Sequence, residues 1–426
     1  MANNNTFNEA LTPTGQDSRV FTGLSQAALW FSLGVGLLVM QVGAYLVPAV
    51  GTQDAFIAIS IGSVLGSALL AWAAKVGCDT GLSSAGLMHK VYGSAFAKVP
   101  VMLNIVQLVG WTTFELVVMR DGTHAISQNA FGLEITATVS TLIWGVVLLL
   151  LMMSSMLTLV RQFVSRVGLP LVVLSLLWLS WHFFTVLQIQ GLEAFWLRPG
   201  DGSMGMLSAI DLVIAMPVSW LPLVADYARY GRSGRSTFGG TWLGYTIANI
   251  WCYTLGILVV SVSEPGTDLV TALLLAQGGL LALGLILLDE LDNAYGDVYS
   301  GAVSAHSIVS GGSVKTWGMA MAALCTFLAL VLPMHSLEPF LLMLSSVFVP
   351  LYGVILGRLG LGHSLSTDKK VDIQAAAIWL IGVAVFQGTT AWAPQYGSAL
   401  PSLLVTFALA WLTRASADRH LQSPSA

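Results

Sequence analysis

The chain has 426 residues, of which 17 are Lys or Arg and 21 are Asp or Glu, so 9% is charged, where a soluble protein has about 25%. Hydrophobic residues make up 56% and the mean hydropathy is +0.79. This composition excludes a soluble globular enzyme and a disordered chain, so we expect a protein that crosses a membrane many times. The net charge of −4 gives no indication of a nucleic-acid partner.

The N-terminal region is polar and lacks the basic-then-apolar layout of a cleaved signal peptide, so the first apolar stretch, residues 26–50, is expected to remain as a span. Cys78, Cys252 and Cys325 are far apart, which favours neither a disulfide framework nor a transition-metal site. No GxxxxGK[ST] phosphate loop is present, so any pumping has to use an ion gradient.

At about 20 apolar residues per crossing, the sequence predicts twelve spans in a single membrane domain without a separate soluble part. Their centres lie near Leu38, Leu65, Gly110, Val147, Leu177, Val218, Tyr253, Leu285, Ala323, Ser345, Ile381 and Phe407.

The basic residues orient these spans. With a cytoplasmic N-terminus, fifteen Lys and Arg residues fall inside and only Arg120 and Arg198 fall outside. Positive charge concentrates on the cytoplasmic side of membrane proteins, so both termini are predicted to be cytoplasmic, in a bacterial inner membrane or a plasma membrane.

Spans 1 and 6 carry helix-breaking residues at mid-depth. In span 1, Gly34, Gly36 and Gly43 surround Gln41, and in span 6 Pro217 and Pro222 surround the Ser219–Trp220 pair. Each feature alone is compatible with close helix packing or with a kinked helix. Because five is an odd number, span 6 crosses the membrane in the opposite direction to span 1, so two five-helix units would be related by inversion. Breaks in the first helix of each unit indicate the binding site of a secondary transporter.

Spans 3 and 8 carry polar residues through apolar helices. In span 3, Asn104, Gln107, Trp111 and Glu115 share one helical face. In span 8, Asp289, Glu290, Asp292, Asn293, Asp297 and Ser300 occupy one arc. A structural glutamate and a solvated loop are the alternatives, but intramembrane acids more often bind a cation, hold a proton or face water.

Two further pairs are candidates for function. Trp111 and Trp220 lie at mid-depth beside polar residues, so their rings are suited to stacking on a flat heterocycle. At the end of span 6, Asp226 and Arg229 are three residues apart and are expected to form a local pair or a cytoplasmic gate contact.

Three sequence runs resemble the nucleobase–cation symporter family of cytosine permeases, hydroxymethylpyrimidine transporters and hydantoin or allantoin carriers. The runs are MPVSWLPLVADYARYGR (Met216–Arg232), NIVQLVGWTTFE (Asn104–Glu115) and DVYSGAVS (Asp297–Ser304). This resemblance implies an all-helical LeuT-like fold with a 5+5 inverted repeat, broken helices 1 and 6 and two peripheral helices. The implied units are a cytoplasmic tail at 1–24, repeats at 25–188 and 206–358, peripheral helices at 372–414 and a cytoplasmic tail at 415–426.

The resemblance also implies roles for individual residues. Trp111 and Trp220 would stack on the substrate ring, and four other residues would contact the substrate: Gln41, Glu115, Ser219 and Asp297. The carbonyls of Leu37, Met40 and Asp289 would bind the coupling cation. Asp292 and Asn293 stand where the family has two hydroxyl residues, which leaves Na+ and H+ both open.

The predicted function is import of a pyrimidine such as cytosine or hydroxymethylpyrimidine by cation symport with alternating access. Carboxylates suit the amino edge of such a ring and would repel the two carbonyls of uracil. The same fold carrying a purine, allantoin, a hydantoin or an amino acid is the nearest alternative, followed by an uncoupled channel or sensor; an enzyme is not expected. Apart from substrate, coupling cation and bilayer, no cofactor, nucleic acid or obligate protein partner is expected.

Overall fold

The computed structural model describes residues 8–154, 167–264, 266–332, 334, 337–362 and 369–419, with side chains up to residue 413. Its regular secondary structure within these ranges is helical. Span 1 consists of two helices, Gly23–Ser32 and Leu37–Ala49, and span 6 of Met206–Ser219 and Leu221–Ala228. The other spans, in order, are Thr52–Thr80, Lys98–Phe131, Ala137–Met152, Leu169–Gln190, Gly234–Val262, Gly279–Ile308, Val314–Val331, Leu337–Leu359, Ile373–Trp392 and Ala399–Arg419. Short helices at Ser84–Tyr92, Leu192–Trp196 and Leu269–Leu275 connect spans 2 and 3, 5 and 6, and 7 and 8.

These helices agree with the prediction of twelve crossings. Eight are long and apolar enough to cross a bilayer, and the two helices of span 1 form a ninth crossing with a 63° bend. Spans 4 and 12 are shorter apolar helices, and span 8 is a 30-residue helix that carries the predicted acids. The all-helical, twelve-span prediction is therefore confirmed.

The helices form two groups that meet at the centre of the molecule. Spans 1, 2, 6 and 7 pack on one another, and spans 3, 4, 8 and 9 pack on one another. The first group contains the first and second helices of each predicted repeat, and the second group contains the third and fourth helices of each. This arrangement is expected when the repeats are related by inversion. Both breaks belong to the first group and face span 3 and span 8 of the second.

The two breaks differ in severity. In span 1 the helix stops at Ser32 and restarts at Leu37 after Gly36, whose backbone is extended (φ 171°, ψ 158°). In span 6 only Trp220 separates the two helices, and Met206–Ala228 runs on as one span. Pro222 is the second residue of its helix, where a missing N–H removes no helical hydrogen bond. The second interruption is therefore milder than the two prolines predict.

Span 7 lies against both halves of span 1 at very short range. A Cβ atom added to Gly244 would collide with the Ala27 carbonyl, and one added to Gly256 would collide with the Met40 carbonyl. These neighbours are backbone atoms, which cannot rotate away as a side chain would. Glycine at these positions lets the helices approach closely, as small residues commonly do in membranes.

We expect Gly244→Val to lower the free energy of unfolding by about 1–3 kcal/mol, because the larger side chain forces span 7 away from span 1. Gly239→Val on the same helix is the matched control, since nothing lies within 4 Å of a Cβ added there. Thermal unfolding of the purified proteins in detergent measures the difference. Equal midpoints for the two variants would contradict the close packing.

Candidate substrate and cation sites

A narrow central cavity lies where the two helix groups meet, beside the break in span 1. It is lined by residues of spans 1, 3, 6 and 8: Leu33, Gly36, Leu38, Val39, Trp111, Glu115, Met216, Ser219, Trp220, Leu223, Glu290, Asn293 and Asp297. Five of the six residues predicted to contact substrate are therefore brought together: Trp111, Glu115, Ser219, Trp220 and Asp297.

The two predicted tryptophans are each fixed by an aromatic neighbour at a steep angle. The Trp220 ring lies 6.0 Å from that of Trp30 at 84°, and the Trp111 ring lies 5.1 Å from that of Phe340 at 70°. Both tryptophans are buried but retain cavity contact. Edge-to-face contacts of this kind are favourable and directional, so the two rings have fixed orientations at the cavity wall.

Glu115 and Asp297 are the acids of the central cavity that lack protein partners. They are 3% and 2% exposed, and neither carboxylate accepts a hydrogen bond from any residue within the described ranges; the Glu115 Oε2 atom is fully enclosed without a partner. Buried carboxylates are stable only when they are hydrogen-bonded, protonated or paired with a cation. This cavity therefore suits a molecule that brings hydrogen-bond donors.

Gln41, the sixth predicted substrate contact, lies elsewhere. It lines a larger cavity together with His124, Gln128 and Asp268, and its side-chain amide donates to the Tyr45 hydroxyl at 2.6 Å. This larger cavity, which we call the outer cavity, lies at the end of the bundle predicted to face outside. Leu38 lines both cavities, so Gln41 borders the approach to the central cavity in this conformation.

The lower part of the span 3 stripe joins the two helix groups. The Asn104 amide donates to the Pro222 carbonyl at 3.0 Å and to the Ser304 hydroxyl at 3.0 Å, and it accepts from Gln107. Asn104 thus links the first turn of the second helix of span 6 to span 8, so this part of the stripe has a structural role.

The acids of span 8 divide between two cavities. Glu290, Asn293 and Asp297 face the central cavity, whereas Asp289 and Asp292 line a separate cavity with Ser32, Gly168 and nearby apolar residues of spans 5 and 8. The Ser32 hydroxyl donates to Asp289 Oδ1 at 2.9 Å, while the Oδ2 atoms of Asp289 and Asp292 are buried without partners. A cluster of three polar residues, Ser32, Asp289 and Asp292, therefore lies apart from the central cavity.

The predicted cation ligands are only partly brought together. Leu37 and Met40 lie within the second helix of span 1, and the Met40 carbonyl packs against Gly256. The Asn293 amide donates to the carbonyl of Val35, within the break, at 3.2 Å. Sequence reasoning missed Ser32, the last residue of the helix before the break. It named Glu290 among the acids of span 8 but missed its contact with span 1, where the carboxylate accepts the Leu37 N–H at 2.5 Å.

Asp226 and Arg229 do not bond to each other but to different neighbours. Asp226 Oδ1 accepts the Ser84 N–H at 3.0 Å. The Arg229 guanidinium donates to the Tyr230 and Tyr299 hydroxyls and to the Glu9 carbonyl at 3.2 to 3.4 Å. The two side chains still interact electrostatically without a direct hydrogen bond, and Arg229 also bridges span 6, span 8 and the N-terminal segment.

The N-terminal segment from residue 8 to residue 21 covers the predicted cytoplasmic end. The Asn8 amide donates to the His306 carbonyl of span 8, and the Ser83 hydroxyl donates to the Ala10 carbonyl. Phe21 is 1% exposed and forms a short backbone bridge with Gly231 after span 6. The segment thus ties both helix groups together and closes this end of the bundle.

A central cavity between two helix groups, with broken helices on one side of it, defines the architecture of a LeuT-like membrane transporter. Residues 13–412 match the family described as permeases for cytosine/purines, uracil, thiamine and allantoin. The chain belongs to this family, whose members are transporters and not enzymes. A comparison with curated proteins finds no match.

Several solved structures share the fold. Mhp1, a nucleobase-cation-symport-1 family transporter in a closed conformation with bromovinylhydantoin bound, has a TM-score of 0.80 at 16% identity, with 97% of this chain and 96% of that chain covered. A Na+-coupled sialic acid symporter has a TM-score of 0.65 at 9% identity, covering 94% and 91%. A manganese transporter of Eremococcus coleocola, in complex with an aromatic bis-isothiourea substituted compound, has a TM-score of 0.56 at 14% identity, covering 99% and 100%.

We expect Arg229→Ala to open the predicted cytoplasmic end, because it removes the bonds to Glu9 and Tyr299. A Ser219→Cys reporter in the central cavity should then react several-fold faster with an impermeant thiol reagent added to inside-out vesicles. The three native cysteines are buried and should contribute little. Arg232→Ala, at an exposed arginine three residues away, is the control; equal labelling rates in both variants would contradict a closing role for Arg229.

Proposed function

We propose that this permease imports an aminopyrimidine such as cytosine or hydroxymethylpyrimidine by cation symport, with the ring held between Trp111 and Trp220. The observation that carries the proposal is the central cavity, which combines these two oriented rings with the carboxylates of Glu115 and Asp297, of which the Glu115 Oε2 atom is buried without a hydrogen-bond partner. Membership of the permease family supports a nucleobase-like substrate.

The carboxylates favour one kind of ring edge. An aminopyrimidine presents an amino group beside a ring nitrogen, and a carboxylate accepts from the amino group through a charge-assisted hydrogen bond. Uracil presents two carbonyl oxygens, which carry the same sign of partial charge as a carboxylate. The two acids would therefore select an amino-bearing heterocycle over uracil.

Cation coupling supplies the driving force in this proposal. One positive charge moving through about 150 mV releases about 3.5 kcal/mol, enough for roughly several-hundred-fold accumulation of a neutral solute. We assign the coupling ion to the region of the span 1 break, with the carbonyls of Leu37, Met40 and Asp289 and the side chains of Asp292 and Asn293 as ligands. The proximity of Ser32 to Asp289 supports this assignment.

Uptake of labelled cytosine tests the substrate site. Trp220→Ala and Glu115→Ala should each reduce uptake about 5- to 30-fold, because a lost stacking contact or charge-assisted bond costs on the order of 1–2 kcal/mol. Trp392→Ala is the control, since Trp392 is 87% exposed. Unchanged uptake in both site variants would refute the assignment, and competition with purines, allantoin, hydantoins and uracil would identify another substrate.

Proteoliposomes with sodium and proton gradients imposed separately test the coupling. We expect one of the two gradients to drive accumulation, and Asp292→Asn to abolish this accumulation while retaining cytosine exchange across the membrane. Asp54→Asn, at an exposed acid of span 2, should retain both. Uptake that does not saturate and responds to neither gradient would indicate an uncoupled channel.

A further inference from the structure

We propose that Glu290 is a positioning residue that couples the occupancy of the central cavity to the position of the second half of span 1. This proposal rests on the proposed function for the identity of the substrate. The contacts of Glu290 that carry it do not depend on which substrate is transported.

Glu290 connects span 8 to the broken backbone of span 1. Its side chain is buried, with 1% exposure, and its Oε1 atom accepts the N–H of Leu37, the first residue of the helix Leu37–Ala49. Its Oε2 atom accepts from the Asn293 amide at 3.4 Å, and the same amide donates to the Val35 carbonyl at 3.2 Å. The break leaves the Leu37 N–H and the Val35 carbonyl without helical partners. Glu290 accepts from this N–H, and Asn293 donates to this carbonyl.

The space for this contact is provided by Gly36. A Cβ atom added to Gly36 would lie 2.9 Å from Glu290 Oε1, too close for an ordinary contact. Glycine at this position thus lets the carboxylate reach the backbone.

In its ionised form, Glu290 adds a charge to the hydrogen bond. The N-terminus of a helix carries a partial positive charge, and Leu37–Ala49 has thirteen residues. A carboxylate at this end is stabilising, and more so in a medium of low dielectric constant. Neutral glutamine would keep the acceptor oxygen and lose the charge, whereas alanine would lose both.

The same carboxylate also lines the central cavity. Glu290 is part of the wall formed with Trp111, Trp220 and Asp297, so a ligand that donates hydrogen bonds there competes with Leu37 for the Glu290 oxygens. Among the acids of span 8, Glu290 is the one bonded to the backbone of span 1 within the described residues. Ligand binding in the central cavity therefore changes the hydrogen bond between Glu290 and Leu37, which positions the second half of span 1. This half-helix borders the outer cavity through Leu37, Leu38 and Gln41.

The experiment uses a Tyr45→Cys reporter on the second half of span 1 in the full-length protein. Tyr45 is half-buried and lies one turn beyond Gln41. Without substrate, the labelling rate of this cysteine should rise several-fold in Glu290→Ala, and less in Glu290→Gln, because the half-helix loses its anchor. Adding cytosine should change the labelling rate of the reporter cysteine when Glu290 is intact, and should change it little in the Glu290→Ala and Glu290→Gln variants.

Transport and binding give the second readout. For Glu290→Gln we expect the maximal uptake rate to fall about tenfold while the dissociation constant of cytosine changes less than about threefold. Glu193→Gln, at an exposed acid, is the control, and thermal midpoints report whether each variant is folded. A merely structural role would lower the thermal midpoint and the yield of folded protein but leave the cytosine response of the reporter intact.

The outcomes separate the two proposals. Normal maximal uptake and a normal cytosine response in folded Glu290→Gln and Glu290→Ala would overturn the positioning role. If the parent protein does not bind cytosine, the proposed substrate is wrong, and the same reporter comparison with the heterocycle that the protein does transport decides the role of Glu290. If Glu290→Ala does not fold, the comparison of Glu290→Gln with the parent protein decides it.

Discussion

A helix that stops inside a membrane leaves backbone donors and acceptors that lipid cannot satisfy, and this constraint governs the centre of the protein. In span 1 the exposed groups are met by side chains of span 8, through Glu290 at the Leu37 N–H and Asn293 at the Val35 carbonyl. In span 6 Asn104 of span 3 donates to the Pro222 carbonyl, in the first turn after the break. Side chains of the opposite helix group therefore contact both broken spans, and the cavity forms where these contacts meet.

The two ends of the molecule are closed to different extents. At the predicted cytoplasmic end, the N-terminal segment and Arg229 connect both helix groups. At the other end, the outer cavity reaches as far as Leu38, which also lines the central cavity. A carrier with alternating access must never be open at both ends at once, and opening the cytoplasmic end here would require the release of contacts that join the two groups.

The sequence was sufficient for the fold because lipid restricts the composition and length of every span. It also predicted substrate contacts at Trp111, Glu115, Trp220 and Asp297, which line one cavity in the structure. Helical periodicity identifies the face on which a residue lies but not the residue it meets across the interface. For that reason the sequence suggested that Asp226 and Arg229 are neighbours but did not reveal their hydrogen-bond partners, the Ser84 N–H and the Tyr299 hydroxyl. It missed the contact of Glu290 with Leu37 because that contact depends on how spans 1 and 8 pack.

The close approach of span 7 to span 1 has a consequence for natural sequence variation. At Gly244 and Gly256 the space of a side chain is taken by carbonyl oxygens of the neighbouring helix. Any single-nucleotide change in these glycine codons that alters the amino acid adds at least one carbon atom. Missense alleles at these two codons should therefore be rare in strains that depend on the transporter, whereas the codon for Gly239, on the open side of the same helix, should vary freely.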